Sequence, residues 1–250
     1  MNPLLIPYMR GREILLMLAL IPCSLPAPAQ DPLPAQPEIN WVHGQKAEAY
    51  GKIEGSPYYG EWGMGKIVLK DGTVYEPVYM NYDVYKGKIH VKNQQQGLLA
   101  LHSEIVDYVL WQQNGDTLRL KAYSGDLINL PQPIMENAYT RFYEVIYDEG
   151  KYAFFRLPVK VVDGAKPNTS AADIAYTTKP LEGKFRYKEL FVLRKPDGSF
   201  QLLARRKKAF LQALSTGGES IKEFVKTEKI SFIRDEDIQI LLKFADQQPF

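Results

Sequence analysis

Apolar and polar residues alternate in short runs from about Tyr50 to Val162, and Gly, Asp and Asn punctuate them. A period of two puts successive side chains on opposite faces, which is the signature of strands with one face in a core. Lys66–Lys70 runs into Asp71-Gly72, and Thr73-Val74-Tyr75 follows, a hairpin signal because glycine accepts positive φ at low cost. Val78–Tyr85 sets Val78, Met80, Tyr82 and Val84 on one face and Tyr79, Asn81, Asp83 and Tyr85 on the other. Lys86-Gly87-Lys88 turns this strand into Ile89–Lys92. Further strands are expected at Leu98–Leu101, Ile105–Trp111, Thr117–Tyr123, Arg141–Tyr147 and Tyr152–Val162, with turns at Asn114-Gly115-Asp116 and Asp148-Glu149-Gly150. Short links between successive strands predict an antiparallel meander.

Asp163–Pro180 has little periodicity and reads as an exposed loop. Tyr187–Arg194 and Ser199–Ala204 flank Pro196-Asp197-Gly198 as another hairpin. The period then changes to that of helices. Phe210, Leu211 and Leu214 form one stripe, Ile221, Phe224 and Val225 a second, and Ile238, Leu241, Leu242 and Ala245 a third. Asp235-Glu236-Asp237 precedes the last stripe, where carboxylates suit the positive end of a helix. The expected fold is α+β: an antiparallel β-meander, as a twisted sheet or half-barrel, followed by a small C-terminal helical cap with Phe224 and Leu241 buried. Along the chain this gives a β region at 50–165, an exposed loop at 166–184, and a β-hairpin plus helices at 185–250.

The N-terminus reads as an address. Arg10 and Arg12 precede the apolar run Ile14–Ile21, which is shorter than the roughly 20 residues a spanning helix needs. Ala27-Pro28-Ala29 supplies a small-x-small cleavage pattern, so residues 1–29 are expected to be a secretory signal peptide. An N-terminal membrane anchor is the alternative, ahead of a lipid on Cys23, because Pro22 occupies a position where a small residue is expected. Residues 30–49 begin with a proline-rich stretch and read as a flexible leader. The expected location is therefore periplasmic or extracellular, possibly outer-membrane associated, with no transmembrane segment in the mature chain.

Of the 250 residues, 31 are Lys or Arg and 29 are Asp or Glu. That balance is against a nucleic-acid binder, whose affinity rests on excess basic charge. The single Cys lies within the signal segment, so no disulfide framework is expected and stability must come from core burial.

Three stretches then carry a family likeness. They are Gly55-Ser56-Pro57-Tyr58 with Asp71-Gly72 and Met80–Tyr85; the late strand pair leading into Arg206–Leu214; and Ile221–Val225, Lys229-Ile230, Asp235–Ile238 and Leu241-Leu242. This layout resembles a family of secreted Bacteroidetes proteins of unknown function. The resemblance implies export and this build, and carries no activity with it.

Candidate chemistry is sparse. His43, His90 and His102 lie far apart without a ligand partner at i+2 or i+4, so neither a metal nor any other cofactor is expected. G-x-S-x-G is absent, and His102-Ser103-Glu104 puts neighbours on opposite sides of a strand. Gly60–Gly65 is glycine-rich but precedes a strand, so it lacks the helix N-terminus that holds a phosphate. Arg205-Arg206-Lys207-Lys208 is the one basic run. The aromatic content is the remaining signal: 16 Tyr, 11 Phe and 3 Trp. Tyr58, Tyr59 and Trp62 cluster beside glycines and are the candidate ligand-binding residues, since flat aromatic faces bind sugars and peptides. The expectation is a non-catalytic binding or structural protein of the envelope, with a glycan, peptide or envelope component as partner. A carbohydrate- or peptide-binding module and a secreted hydrolase are the alternatives.

Overall fold

Twelve strands form one sheet: β1 (Gly44–Lys46), β2 (Lys52–Glu54), β3 (Gly63–Leu69), β4 (Val74–Asp83), β5 (Lys88–Asn93), β6 (Gly97–Leu101), β7 (Val106–Gln113), β8 (Asp116–Ser124), β9 (Thr140–Tyr147), β10 (Ala153–Asp163), β11 (Glu182–Arg194) and β12 (Phe200–Leu202). Among the described residues three helices follow: α1 (Lys207–Ala213), α2 (Gly218–Thr227) and α3 (Asp235–Asp246). The computed structural model describes residues 44–46, 52–93, 97–124, 127, 128, 130, 140–163, 182–214 and 218–248. The segment read as a signal peptide, the leader up to residue 43 and residues 164–181 of the expected loop lie outside the described residues. Among those described, no helix is long and apolar enough to cross a membrane.

The class is α+β, with a curled half-barrel sheet and helices near the C-terminus. The sheet is not a simple meander. Its order is β1-β6-β5-β4-β3-β7-β8-β9-β10-β11-β12, and β2 pairs parallel with β11 through Glu182 and Lys52, Gly183 and Ile53, and Lys184 and Glu54. β1, within the stretch read as leader, pairs with β6. These pairings join segments about 55 and 130 residues apart, and neither has a local turn signal that could announce it.

The order also explains the curl. β6 and β7 lie four strand spacings apart across the sheet, about 19 Å if it were flat. Only His102–Ile105, largely a 3-10 turn, joins them, and five Cα steps reach at most about 17–18 Å. The sheet must therefore roll until β6 approaches β7. The roll brings β4 over β9. There the Tyr82 hydroxyl donates to the Phe142 carbonyl at 2.9 Å, and the Arg141 guanidinium donates to the carbonyls of Val84 and Tyr85.

Local chemistry sets the hairpins. Leu69-Lys70-Asp71-Gly72 and Lys195-Pro196-Asp197-Gly198 are the same device. The Gly N–H donates to the carbonyl three residues back (3.0 and 2.9 Å), and the Asp Oδ1 accepts from the N–H two residues on. Both glycines take positive φ, 88° and 82°, so the left-handed position foreseen for them is realised at the end of a type I turn. Asn114 and Gly115 both have positive φ, which makes the two-residue turn between β7 and β8 type I′.

The core has three parts. Val78, Met80, Tyr82 and Val84 line the inside of the half-barrel with Ile67, Val109, Trp111 and Leu120, as their alternation predicts. β9, β10 and the end of β11 are buried on both faces. Phe154 and Leu193 meet the helices, while Phe155, Leu157, Val159 and Val192 pack on the opposite face with Ile128 and Leu130. The near-continuous apolar run of β10 fits that double burial. Leu241 is fully buried beneath the cap, but Phe224 is only half-buried and stacks on Phe244, with centroids 3.9 Å apart. The fit between α2 and α3 places that pair at the outer edge of their contact.

Candidate functional site

Tyr58 and Tyr59 lie on a strip that extends β3 past the Gly60–Trp62 bulge and runs along the end of β4. Tyr58 bridges Asp83, and the Tyr59 N–H donates to the Tyr82 carbonyl at 2.9 Å. Neighbouring residues on an extended strip point in opposite directions. Tyr58 therefore joins Trp62, edge to face at 5.4 Å, and Trp62 in turn tilts against Tyr79 at 5.6 Å. The exposed Lys92 of β5 lies over the indole, its ammonium 4.4 Å from the ring centroid and 5.3 Å from that of Tyr79. Lys92 has no carboxylate partner among the described residues.

Tyr59 points the other way. Its ring stacks on Tyr187 at 6.1 Å and tilts against Trp111. Its hydroxyl donates to Glu144 Oε2 at 2.9 Å, and burial with the Glu144 carboxylate pushes its pKa up to about 12. Arg156 bridges Glu144 Oε1 (2.8 Å) and Asp235 Oδ2 (2.5 Å), and Arg205 reaches Asp235 Oδ1 at 2.7 Å. This chain of charges pins the start of α3 to the sheet. The structure thus brings together Tyr58 and Trp62 of the three candidate residues and assigns Tyr59 to a separate, inward network.

Tyr79 and Lys92 complete the outer edge, His90 and Asp83 lie buried behind it, and sequence reading assigned none of the four to the site. The Tyr58 hydroxyl and His90 Nδ1 share a hydrogen bond at 3.0 Å. His90 Nε2 faces Asp83 Oδ2 at 3.6 Å, beyond hydrogen-bond range. His90 is 2% exposed and Asp83 0%, and Oδ2 of Asp83 has no hydrogen-bond partner. Oδ1 accepts from the N–H groups of Tyr85 and Lys86 and so builds the β4–β5 turn. Burial pushes Asp83 up to about 6 and holds His90 down to about 4. The pair is thus two desolvated groups rather than an ion pair. The only trace of it in the sequence is Asn81 and Asp83 on the face of β4 opposite the core.

The glycines of Gly60–Gly65 serve close packing. A Cβ at Gly65 would lie 2.0 Å from the Met80 methyl and 2.3 Å from the Leu110 carbonyl, and one at Gly63 would lie 2.2 Å from the Gln112 carbonyl. Among the described residues no group of three or more His, Cys, Asp or Glu could hold a metal ion. Comparison of the chain with family models, curated proteins and solved structures finds no match.

Proposed function

We propose that this is an exported, non-catalytic binding protein whose outer edge, Tyr58, Trp62, Tyr79 and Lys92, takes an acidic glycan. The observation that carries the reading is the half-exposed ring cluster with an unpaired ammonium over its indole. Sugar C–H groups stack on such rings, and a sugar carboxylate or sulfate would draw Lys92 off the indole face. The hydrogen bond between Tyr58 and His90 fixes the first ring in place, so little side-chain freedom is lost on binding.

The same hydrogen bond favours binding over catalysis. The Tyr58 hydroxyl is already committed inward, and neither His90 nor Asp83 reaches solvent. A glycan array probed with the purified chain tests the reading. Retention on acidic glycans, about two- to twelvefold weaker for Trp62→Ala, is expected, since one aromatic contact contributes about 0.5–1.5 kcal/mol. No retention, or equal retention by the variant, rejects it.

Export follows from the N-terminal pattern and from the resemblance to secreted Bacteroidetes proteins. The mature protein is expected to begin at Gln30. N-terminal sequencing of protein from the native envelope checks this, and a mature chain that retains Met1 overturns it.

A further inference from the structure

The molecule is near neutral overall, yet residues 205–234 carry eight basic side chains against three acidic ones. Three of them lie at the start of α1. Arg206, Lys207 and Lys208 are exposed there, and neither lysine has a carboxylate partner among the described residues. Lys207 and Lys208 also line an open groove of about 560 Å³ with Leu211, Gln212 and Lys222, the last paired with Glu219 at 3.0 Å.

Beside this turn stands Ile233, 82% exposed, the most exposed of the large apolar side chains described. It is held there by Arg205, whose guanidinium donates to the carbonyls of Phe232 (2.9 Å) and Ile233 and also pairs with Asp235. Asp237 fixes the other side of the loop through Ser231 N–H at 2.8 Å and Arg234. A protruding aliphatic side chain on a well-tethered loop therefore stands beside the turn that carries Arg206, Lys207 and Lys208.

From this we infer that the α1 turn and the Ile233 loop form a docking face for an anionic lipid bilayer. Ile233 enters the interfacial layer, and Arg206, Lys207 and Lys208 pair with lipid phosphates. The lysine stems lie along the apolar groove while their ammonium groups stay at headgroup level. The two signals together are what reversible membrane attachment requires: a small apolar insertion and a basic patch. An acidic glycan or peptide would satisfy the lysines but leave Ile233 in water. The inference is independent of the glycan reading, which concerns a different edge of the sheet.

The test uses the full chain with Cys23→Ser and Ile233→Cys, labelled with a polarity-sensitive fluorophore. Residues 14–21 are apolar enough to bind any bilayer, so the reporter is placed at 233 itself. Vesicles of equimolar phosphatidylglycerol and phosphatidylcholine are expected to shift its emission to the blue, and pure phosphatidylcholine is not. Raising NaCl to about 1 M, where the Debye length is about 3 Å, should abolish the shift. Lys207→Glu with Lys208→Glu should weaken apparent affinity about tenfold or more while leaving the melting temperature unchanged. The inference is overturned by no shift, by equal shifts on both vesicles, or by full affinity in the double variant. It is equally overturned if poly-glutamate binds through these lysines while vesicles leave the reporter unmoved, which would assign the face to an acidic protein.

Discussion

Asp83→Asn and His90→Asn are expected to tilt the pH dependence of stability in opposite directions. Asp83 is raised in the fold from 3.8 to about 6. Its favourable contribution is therefore fully present below about pH 4 and is lost as pH rises through 6. His90 is lowered from 6.5 to about 4, so its contribution is present above 6.5 and is lost as pH falls through 4. In the parent protein these windows overlap and largely cancel. Asp83→Asn keeps the Oδ1 acceptor for Tyr85 and Lys86 and leaves only the His90 slope. Relative to the parent it should lose about 3 kcal/mol between pH 6.5 and 4, from a shift of about two units. His90→Asn keeps an acceptor near Tyr58 and leaves only the Asp83 slope, so it should gain about as much over the same range. Urea unfolding of the three proteins from pH 4 to 7.5 reads both slopes. Reversed signs would mean that Asp83 and His90 form a true ion pair across the 3.6 Å gap.

The second large effect concerns the helical cap. α1 has seven residues, α2 ten and α3 twelve, too short to be stable alone in water. Their stripes are covered by the sheet. Ile238, Leu241 and Leu242 are fully buried with Phe210, Ile146, Phe154 and Leu193. Polar contacts fix the docking. Asp246 accepts from the Tyr147 hydroxyl (2.5 Å) and the Tyr152 N–H (2.9 Å), and the Gln239 side-chain amide donates to the Ile146 carbonyl at 2.9 Å. Leu241→Ala should therefore cost about 2–5 kcal/mol, from lost burial and the cavity left behind. Ending the chain after Ala204 should be worse, because it exposes Phe154, Leu193 and Ile146 together. Aggregation or loss of a cooperative melt is expected. A parent-like melt for the shortened chain would make the helices a detachable docking element instead.

Much of the architecture is written in local sequence. Asp71-Gly72, Asn114-Gly115 and Asp197-Gly198 mark their turns because only a few residues tolerate the backbone those turns need. The alternation in Val78–Val84 marks the buried face of β4 because a strand has period two. The three helical stripes announce a cap for the same reason at period 3.6. These signals act over a few residues, so a linear reading recovers them.

The site depends on contacts that no local pattern encodes. Tyr58 and Tyr59 are adjacent in sequence and serve different networks, because an extended strip sends neighbours to opposite sides and the curled sheet supplies a partner on each. His90 meets Tyr58 across 32 residues, and Tyr59 meets Glu144 across 85. Asp83 reads as the polar face of a half-buried strand, yet it is wholly buried because the 56–59 strip lies beside it. The parallel pairing of β2 with β11 and the return of β7 to β3 likewise join distant segments. The sequence by itself determined most of the strands, turns and helices and which of their faces seek a core, but not β1 or β2. The tertiary structure alone decided how the sheet rolls, and with it which aromatic, acid and imidazole groups meet, because the roll is set by strand order and a short β6–β7 link rather than by any residue's own preference.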